Sequence, residues 1–336
     1  MRLYRLPRHT GFDDLTLTQA DPPRPGPGQV LVRMHAASLN FRDLAVATGK
    51  YFLSALPPDL VPLSDGAGEV VETGPGVDRV KTGDRVAGIF MQSWLGGAQE
   101  PAHGLSALGG AINGVLAEYV VFDQNGLVHV PPHLSYEQAA TLPCAAVTAW
   151  NALTTLHPVL AGQTVLVLGT GGVSVFALQF AHAAGARVIA TSSSDAKLER
   201  ARALGASDGV NYKQVPEWQA AVRELTGGAG VDHVVEVGGP GTLQRSIAAT
   251  RLGGSVSLIG VLTRGQIDPL PILGGGVIVR GVYVGSRQMF EAMNRAISLH
   301  RIVPVIDRVF AFEQAREAYD TLKAATHVGK IVIRIA

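Results

Sequence analysis

The spacing of apolar and polar positions changes once along this chain. Over roughly the first 125 residues, short apolar runs alternate with turn-forming residues. Gln29-Val30-Leu31-Val32-Arg33-Met34 follows the run Pro22-Pro23-Arg24-Pro25-Gly26-Pro27-Gly28, and residues 68–74 and 84–89 repeat the pattern between Gly, Pro and Asp. Such spacing predicts a β-rich sandwich or barrel-like module. Residues 92–111, rich in Gly and Ala, read as a long loop of the kind that serves as a functional lid or is mobile. From about residue 127 the pattern becomes one of alternating strand and helix. Residues 164–168 form an apolar strand, 173–184 carry helical periodicity, 187–190 form a second strand and 196–204 a second helix. Further strands are predicted over 209–212, 231–237, 255–260 and 278–284. Six strands separated by helical segments predict a doubly wound parallel sheet. Helices over 289–298 and 312–324 and a strand over 330–334 close the chain, and that last strand is expected to return to the first domain. The fold class is therefore α/β, with a cofactor-binding domain over 127–286 and a β-rich domain formed by 1–126 and 287–336.

Composition narrows the possibilities. A length of 336 residues suits about two domains. With 47% hydrophobic and 16% charged residues, a disordered chain is excluded. The formal net charge of +1 gives no electrostatic footprint for nucleic acid or an anionic membrane. No Asp, Glu, Lys or Arg occurs from Gln138 to Ala186, but Pro143, Asn151, Pro158, Gln163 and Gly169 break that stretch into pieces too short to span a bilayer. The N-terminal residues lack an apolar core followed by a cleavage site, so a cytoplasmic protein is expected. A single cysteine, Cys144, excludes an internal disulfide framework and any Cys-rich zinc site.

Chemistry enters at Gly169-Thr170-Gly171-Gly172-Val173-Ser174, between the first predicted strand of the second domain and its helix. Gly169 allows the tight turn, Gly171 lets the backbone approach a pyrophosphate, and the helix N-terminus offers free N–H groups at Gly172 and Val173. Ser174 stands where a third glycine is usual and is small enough for close helix–strand packing. The second strand ends Ala190-Thr191-Ser192-Ser193-Ser194 without a carboxylate at its tip. Ser192 and Ser193 are hydroxyl donors and Lys197 is a countercharge one helical turn on, a combination that favours NADP(H) over NAD(H). Asp195 is assigned to the start of the following helix, where negative charge is favoured.

Several further motifs resemble the medium-chain dehydrogenase/reductase superfamily over nearly the whole chain, and its zinc-free quinone oxidoreductase and enoyl-reductase-like branch in particular. They are Ser38-Leu39-Asn40-Phe41-Arg42-Asp43, Asp65-Gly66-Ala67-Gly68-Glu69-Val70, Gly83-Asp84-Arg85-Val86, Ala117-Glu118-Tyr119 and Ala139-Ala140-Thr141-Leu142-Pro143, beside the glycine turn. The resemblance implies a GroES-like catalytic domain, a Rossmann domain with a cleft between them, and a homodimer. Zinc-dependent relatives carry a cysteine where this chain has Asn40 and a histidine where it has Ser64; only Cys144 matches the third ligand. One thiolate cannot hold a catalytic zinc, and residues 92–111 contain none of the cysteines of a structural site. The resemblance therefore implies no zinc. It implies that Asn40 offers an amide donor at the reacting oxygen, that Tyr51 lines the substrate pocket and donates to the oxyanion or delivers a proton, and that Asp43 supports the Asn40 loop. Arg42 is expected to pair with Asp43 or approach the cofactor phosphates. Positional matches add Thr148, Tyr212, Gly238, Gly260, Val261, Ser286 and Lys330 as cofactor contacts. The function implied is NADPH-dependent hydride transfer to a small-molecule quinone or α,β-unsaturated carbonyl. An NAD(P)-dependent alcohol or aldehyde dehydrogenase, and a cofactor-binding sensor or scaffold without turnover, are the alternatives.

Overall fold

A computed structural model describes residues 1–51, 56–260 and 262–336. The chain divides into two compact units, 1–147 with 285–336, and 148–284. In the first, β1 (Arg2–Arg5) and β2 (Thr16–Gln19) form an antiparallel pair. The long strand β3 (Gln29–Leu39) then leads into α1 (Phe41–Ala47). The antiparallel neighbours β4 (Asp65–Thr73) and β5 (Arg85–Gly88) follow, then the short helix α2 (Pro101–Gly104), β6 (Tyr119–Asp123) and β7 (Leu127–His129). Helix α3 (Tyr136–Ala139) and a π-turn over Leu142–Ala146 complete this part. Residues 127–147, expected in the second unit, lie in the first: β7 pairs with β5 and the Cys144 N–H reaches the Asp65 carboxylate. The 92–111 segment is anchored by a Met91–Ala107 bridge, and Phe90, Met91, Trp94 and Leu108 are buried while Leu95 is exposed.

The second unit opens within α4 (Val147–Thr154) and continues β8 (Thr164–Leu168), α5 (Gly172–Ala183), β9 (Arg187–Ser192), α6 (Asp195–Ala203), β10 (Asp208–Asn211) and α7 (Trp218–Leu225). After these come β11 (Val231–Glu236), α8 (Pro240–Ala249), β12 (Thr250–Leu258), α9 (Leu270–Gly275) and β13 (Ile278–Gly281). Every pairing among the described strands here is parallel, in the order β10-β9-β8-β11-β12-β13. This is the doubly wound arrangement in which the strand order reverses beside β8, the first strand of the unit. Val165, Leu166, Val188, Ile189, Val234 and Val256 are each fully buried, because helices cover both faces of a parallel sheet. β12 starts five residues before the expected position, since α8 runs directly into it.

The chain then re-enters the first unit through α10 (Arg287–His300), β14 (Ile306–Ala311), α11 (Ala315–Ala324) and β15 (Lys330–Arg334). As expected, the last strand returns: β15 pairs antiparallel with β3, extending a sheet ordered β14-β15-β3-β4-β5-β7. Its core joins Val30, Val32 and Met34 to Ile331, Ile333, Phe310 and Tyr319 from the other end of the sequence. No helix among the described residues is long and apolar enough to cross a membrane.

Candidate active site

The residues singled out from sequence fall into two sets, one in each unit. In the second unit they gather at the carboxyl edge of the parallel sheet. Gly169 leaves β8 with φ +71° and Gly171 caps α5. A Cβ placed on either glycine meets nothing within 4 Å, so the space above this turn is open. Gly172 and Val173 form the first turn of α5, whose N–H groups have no partner from the helix itself. Ser174 is buried and donates from Oγ to the Leu168 carbonyl at 2.6 Å, which ties helix start to strand end. Open backbone N–H groups at the positive end of a helix fit the pyrophosphate of a dinucleotide.

At the tip of β9, Ser192 is buried with its carbonyl accepting from the Tyr212 N–H, and Ser193 and Lys197 are half-buried. Asp195 occupies the first turn of α6, as expected. Its carboxylate accepts from Asn211 Nδ2 (2.7 Å) and Gln214 Nε2 (2.9 Å), and these bonds hold it below the usual carboxylate range. Tyr212 follows β10 and is exposed, and Thr148 is buried in α4. Gly260 stands where a Cβ would lie 1.7 Å from the Val237 carbonyl, so only glycine fits. Val261 lies outside the described residues.

Sequence reasoning missed Glu236, the last residue of β11. It is fully buried, yet its carboxylate accepts from Gly238 N (2.6 Å), Gly239 N (3.0 Å), Thr242 Oγ1 (2.6 Å) and Ser246 Oγ. Four donors from two turns of chain compensate the desolvation of one charge and fix the shape of the Gly238–Gly239 turn. The sequence signal was a carboxylate ending a strand whose preceding residues are Val234-Val235, two positions before Gly238-Gly239.

In the first unit the set centres on the junction of β3 and α1. Asn40 caps α1, and its N–H donates to Asp43 Oδ2 at 2.7 Å, the supporting role expected of Asp43. Burial pushes the Asp43 carboxyl up to about 6, opposed by the Arg42 guanidinium 3.6 Å away. Because Ile331 pairs with Leu39, Lys330 on the neighbouring strand comes level with Asn40. The buried Lys330 ammonium donates to the Leu39 carbonyl (2.6 Å) and to Asn40 Oδ1, and lies 4.0 Å from Asp65 Oδ2. The Asp65 carboxylate in turn accepts from Ser64 Oγ (2.7 Å) and the Cys144 N–H (3.0 Å). Asn40 is 9% exposed, and its Nδ2 has no hydrogen-bond partner among the described residues. A buried donor left in that state costs about 1–3 kcal/mol unless a ligand meets it.

Arg42 faces Asp43 Oδ1 at 3.6 Å, one of the two pairings expected of it. It lies between the Tyr51 and Phe90 rings (4.8 and 4.6 Å to the centroids), donates to the Leu108 carbonyl at 2.9 Å, and its Nε donates to the Tyr51 hydroxyl at 3.3 Å. Tyr51 is thereby buried against Val46 and Leu60. Ser286 caps α10, its Oγ accepting from the Met289 N–H. Its side chain therefore serves the helix start.

The resemblance places the catalytic zinc ligands expected of zinc-binding relatives at Asn40, Ser64 and Cys144. Here the donor set is a carboxamide, a hydroxyl already committed to Asp65, and a thiol that burial and Asp65 push well above its ordinary range. An ammonium already stands beside them. Zinc is held by thiolate, imidazole and carboxylate in sets of three or four, and these residues do not fit it. Among the described residues no three His, Cys, Asp or Glu side chains converge as a metal site. His129 faces Asp84 and His133 the Ile302 carbonyl, each in its own local contact.

A family model described as "Zinc-binding dehydrogenase" matches residues 172–298, and one described as "Alcohol dehydrogenase GroES-like domain" matches 26–132. A zinc-type alcohol dehydrogenase-like protein of Schizosaccharomyces pombe is 46% identical over 97% of this chain and 96% of its own. Among solved structures, an NAD-dependent alcohol dehydrogenase is similar at a TM-score of 0.92 and 34% identity, covering 100% of both chains. A mycobacterial protein solved with NADPH is similar at a TM-score of 0.84 and 26% identity, again over 100% of both.

Proposed function

The chain belongs to the medium-chain dehydrogenase/reductase superfamily, among its zinc-type alcohol dehydrogenase-like members, and is an NAD(P)-dependent oxidoreductase; from that premise we propose that it transfers hydride without a catalytic metal, to a quinone or α,β-unsaturated carbonyl, with NADPH as donor. The observation that carries this reading is the donor set at Asn40, Ser64 and Cys144, which suits an oxygen substituent and does not suit zinc. When bound, the dinucleotide supplies the hydride. Gly169, Gly171, Gly172 and Val173 hold its pyrophosphate, and Gly238 and Gly260 keep the neighbouring strand ends clear. Ser193 and Lys197 receive the 2′-phosphate, with no free carboxylate at the β9 tip to repel it.

Conjugation in the acceptor delocalises the developing charge onto a carbonyl oxygen, which then needs a preorganised donor in place of a Lewis acid. Asn40 Nδ2 is such a donor. Tyr51 gives the pocket an aromatic wall, and its hydroxyl is oriented by Arg42. A homodimer is part of the same proposal: β13 ends its sheet with one edge unpaired among the described strands, and the nearby segment exposes Leu270 and Leu273.

A second reading, an alcohol or aldehyde dehydrogenase, draws support from the names of the relatives. Consumption of NADPH and NADH with a panel of quinones, enones and alkenals, beside oxidation of alcohols with NADP⁺ and NAD⁺, separates the two. The proposal expects turnover of the first panel and tighter binding of NADPH. Alcohol oxidation that requires one tightly bound zinc, or equal binding of NADH, would favour the second.

A further inference from the structure

We propose that Lys330 is a positioning residue that sets the direction of the Asn40 carboxamide and presents its Nδ2 to the oxygen of an enone or quinone acceptor. This rests on the metal-free reading above. An ammonium has only donors, so the one atom of a carboxamide it can meet is Oδ1. Lys330 meets it there, spends a second hydrogen on the Leu39 carbonyl, and has the Asp65 carboxylate 4.0 Å away to balance its charge. The two ends of an amide side chain are otherwise nearly isosteric and free to exchange. Here the lysine removes that freedom. Asp43 fixes the same residue a second time, through the Asn40 backbone N–H. Nδ2 is then the remaining hydrogen-bonding group of the side chain, buried and without a partner among the described residues.

The lysine has a second effect. A cation bonded to an amide oxygen draws density from the nitrogen, so the N–H groups become stronger donors to an oxygen gaining negative charge. Lys330 thus supplies its charge through the amide, without touching the substrate itself. This differs from the expectation that it reaches the pyrophosphate or nicotinamide half of the cofactor. The two roles predict different kinetics.

The test is a double-mutant cycle on the full chain with Lys330→Met, Asn40→Ala and the pair, and with Lys330→Arg as the conservative variant. Each single change is expected to lower kcat on the best enone or quinone about 100-fold, the loss typical of removing one oxyanion donor. The pair should fall no more than about threefold below Asn40→Ala, because both changes disable one device. NADPH affinity, read by fluorescence titration, should stay within about threefold, and Lys330→Arg should recover at least about tenfold by restoring a charged donor. Additive losses, or a loss of NADPH affinity that accounts for the whole fall in kcat/KM, would overturn the proposal. If Lys330→Met melts below the assay temperature, Lys330→Gln replaces it, with an intermediate loss expected and additivity again contradicting. Binding of a phenolate, an oxyanion mimic, to the NADP⁺ complex repeats the cycle without turnover. If the parent reduces no quinone or enone, the functional reading fails by itself. The phenolate cycle then decides the proposal: coupled losses uphold it, additive ones overturn it.

Discussion

Two buried carboxylates, one in each unit, organise their surroundings in opposite ways. Glu236 in the second unit is enclosed by four donors and leaves none of them idle. Asp65 in the first unit balances Ser64, Cys144 and Lys330, yet the carboxamide beside that lysine keeps its Nδ2 unused. A closed network fixes a backbone shape. An open one marks where the molecule needs something it does not itself contain. By this contrast Glu236 holds the turn at which a dinucleotide is expected, and Asn40 is where we propose that a reacting oxygen is met.

Breaking the closed network should have the largest effect on stability. Glu236→Ala strands two backbone N–H groups and two hydroxyls, and is expected to cost on the order of 3–5 kcal/mol in urea unfolding, with cofactor binding weakened in step. A loss below about 1 kcal/mol would remove the distinction between the two clusters. Asn40→Ala should do the reverse. Unfolding should shift by less than about 1 kcal/mol, while turnover falls about 100-fold.

Two buried groups, one in each unit, should also respond to pH with opposite signs. Asp43 is raised from 3.8 to about 6, so the folded chain keeps a proton that the unfolded chain has released, and its contribution declines as pH rises through that window. His233, flanked by Ser255 Oγ (2.6 Å) and Ser257 Oγ (3.2 Å), is lowered from 6.5 to about 4 by burial. The unfolded chain takes up that proton first, so the stability contributed by neutral His233 is present above pH 6.5 and lost as pH falls toward 4. Each effect is on the order of 3 kcal/mol. Relative to the parent, Asp43→Asn should gain stability between pH 4 and 6, and His233→Gln should gain it on acidification from 6.5; urea midpoints across that range check both. The smallest effect is expected at Tyr51→Phe. Its hydroxyl accepts a long bond from Arg42 while its ring holds the packing, so turnover should drop less than about tenfold and NADPH binding should not change.

Much of this architecture was legible from pattern. The alternation of strand and helix predicts the parallel sheet, and the strand over 330–334 is expected back in the first domain, where it pairs with β3. The glycine turn was legible because its residues are consecutive. What escaped was every partnership between distant residues. Lys330 and Asn40 are 290 positions apart, Arg42 and Leu108 are 66 apart, and no periodicity connects them. Glu236 was hidden for a different reason: its donors follow within ten residues, but their convergence depends on the turn geometry. The first domain also runs further than the pattern predicts, since residues 127–147 are tied in by a three-residue strand, the Cys144 N–H to Asp65, and contacts such as Arg334–Glu137 and His35–Tyr136 that no periodicity shows.

The central claim is that charge on the substrate oxygen is met by an amide backed by a lysine, where relatives use zinc. The most direct test is turnover measured against metal content, with zinc determined by mass spectrometry before and after exhaustive chelation. The account predicts undiminished NADPH-dependent reduction of an enone or quinone at well below about 0.1 zinc per chain, since a catalytic site needs one ion held by about three protein ligands. Activity that tracks zinc occupancy toward one per chain, and returns only when zinc is restored, would contradict it.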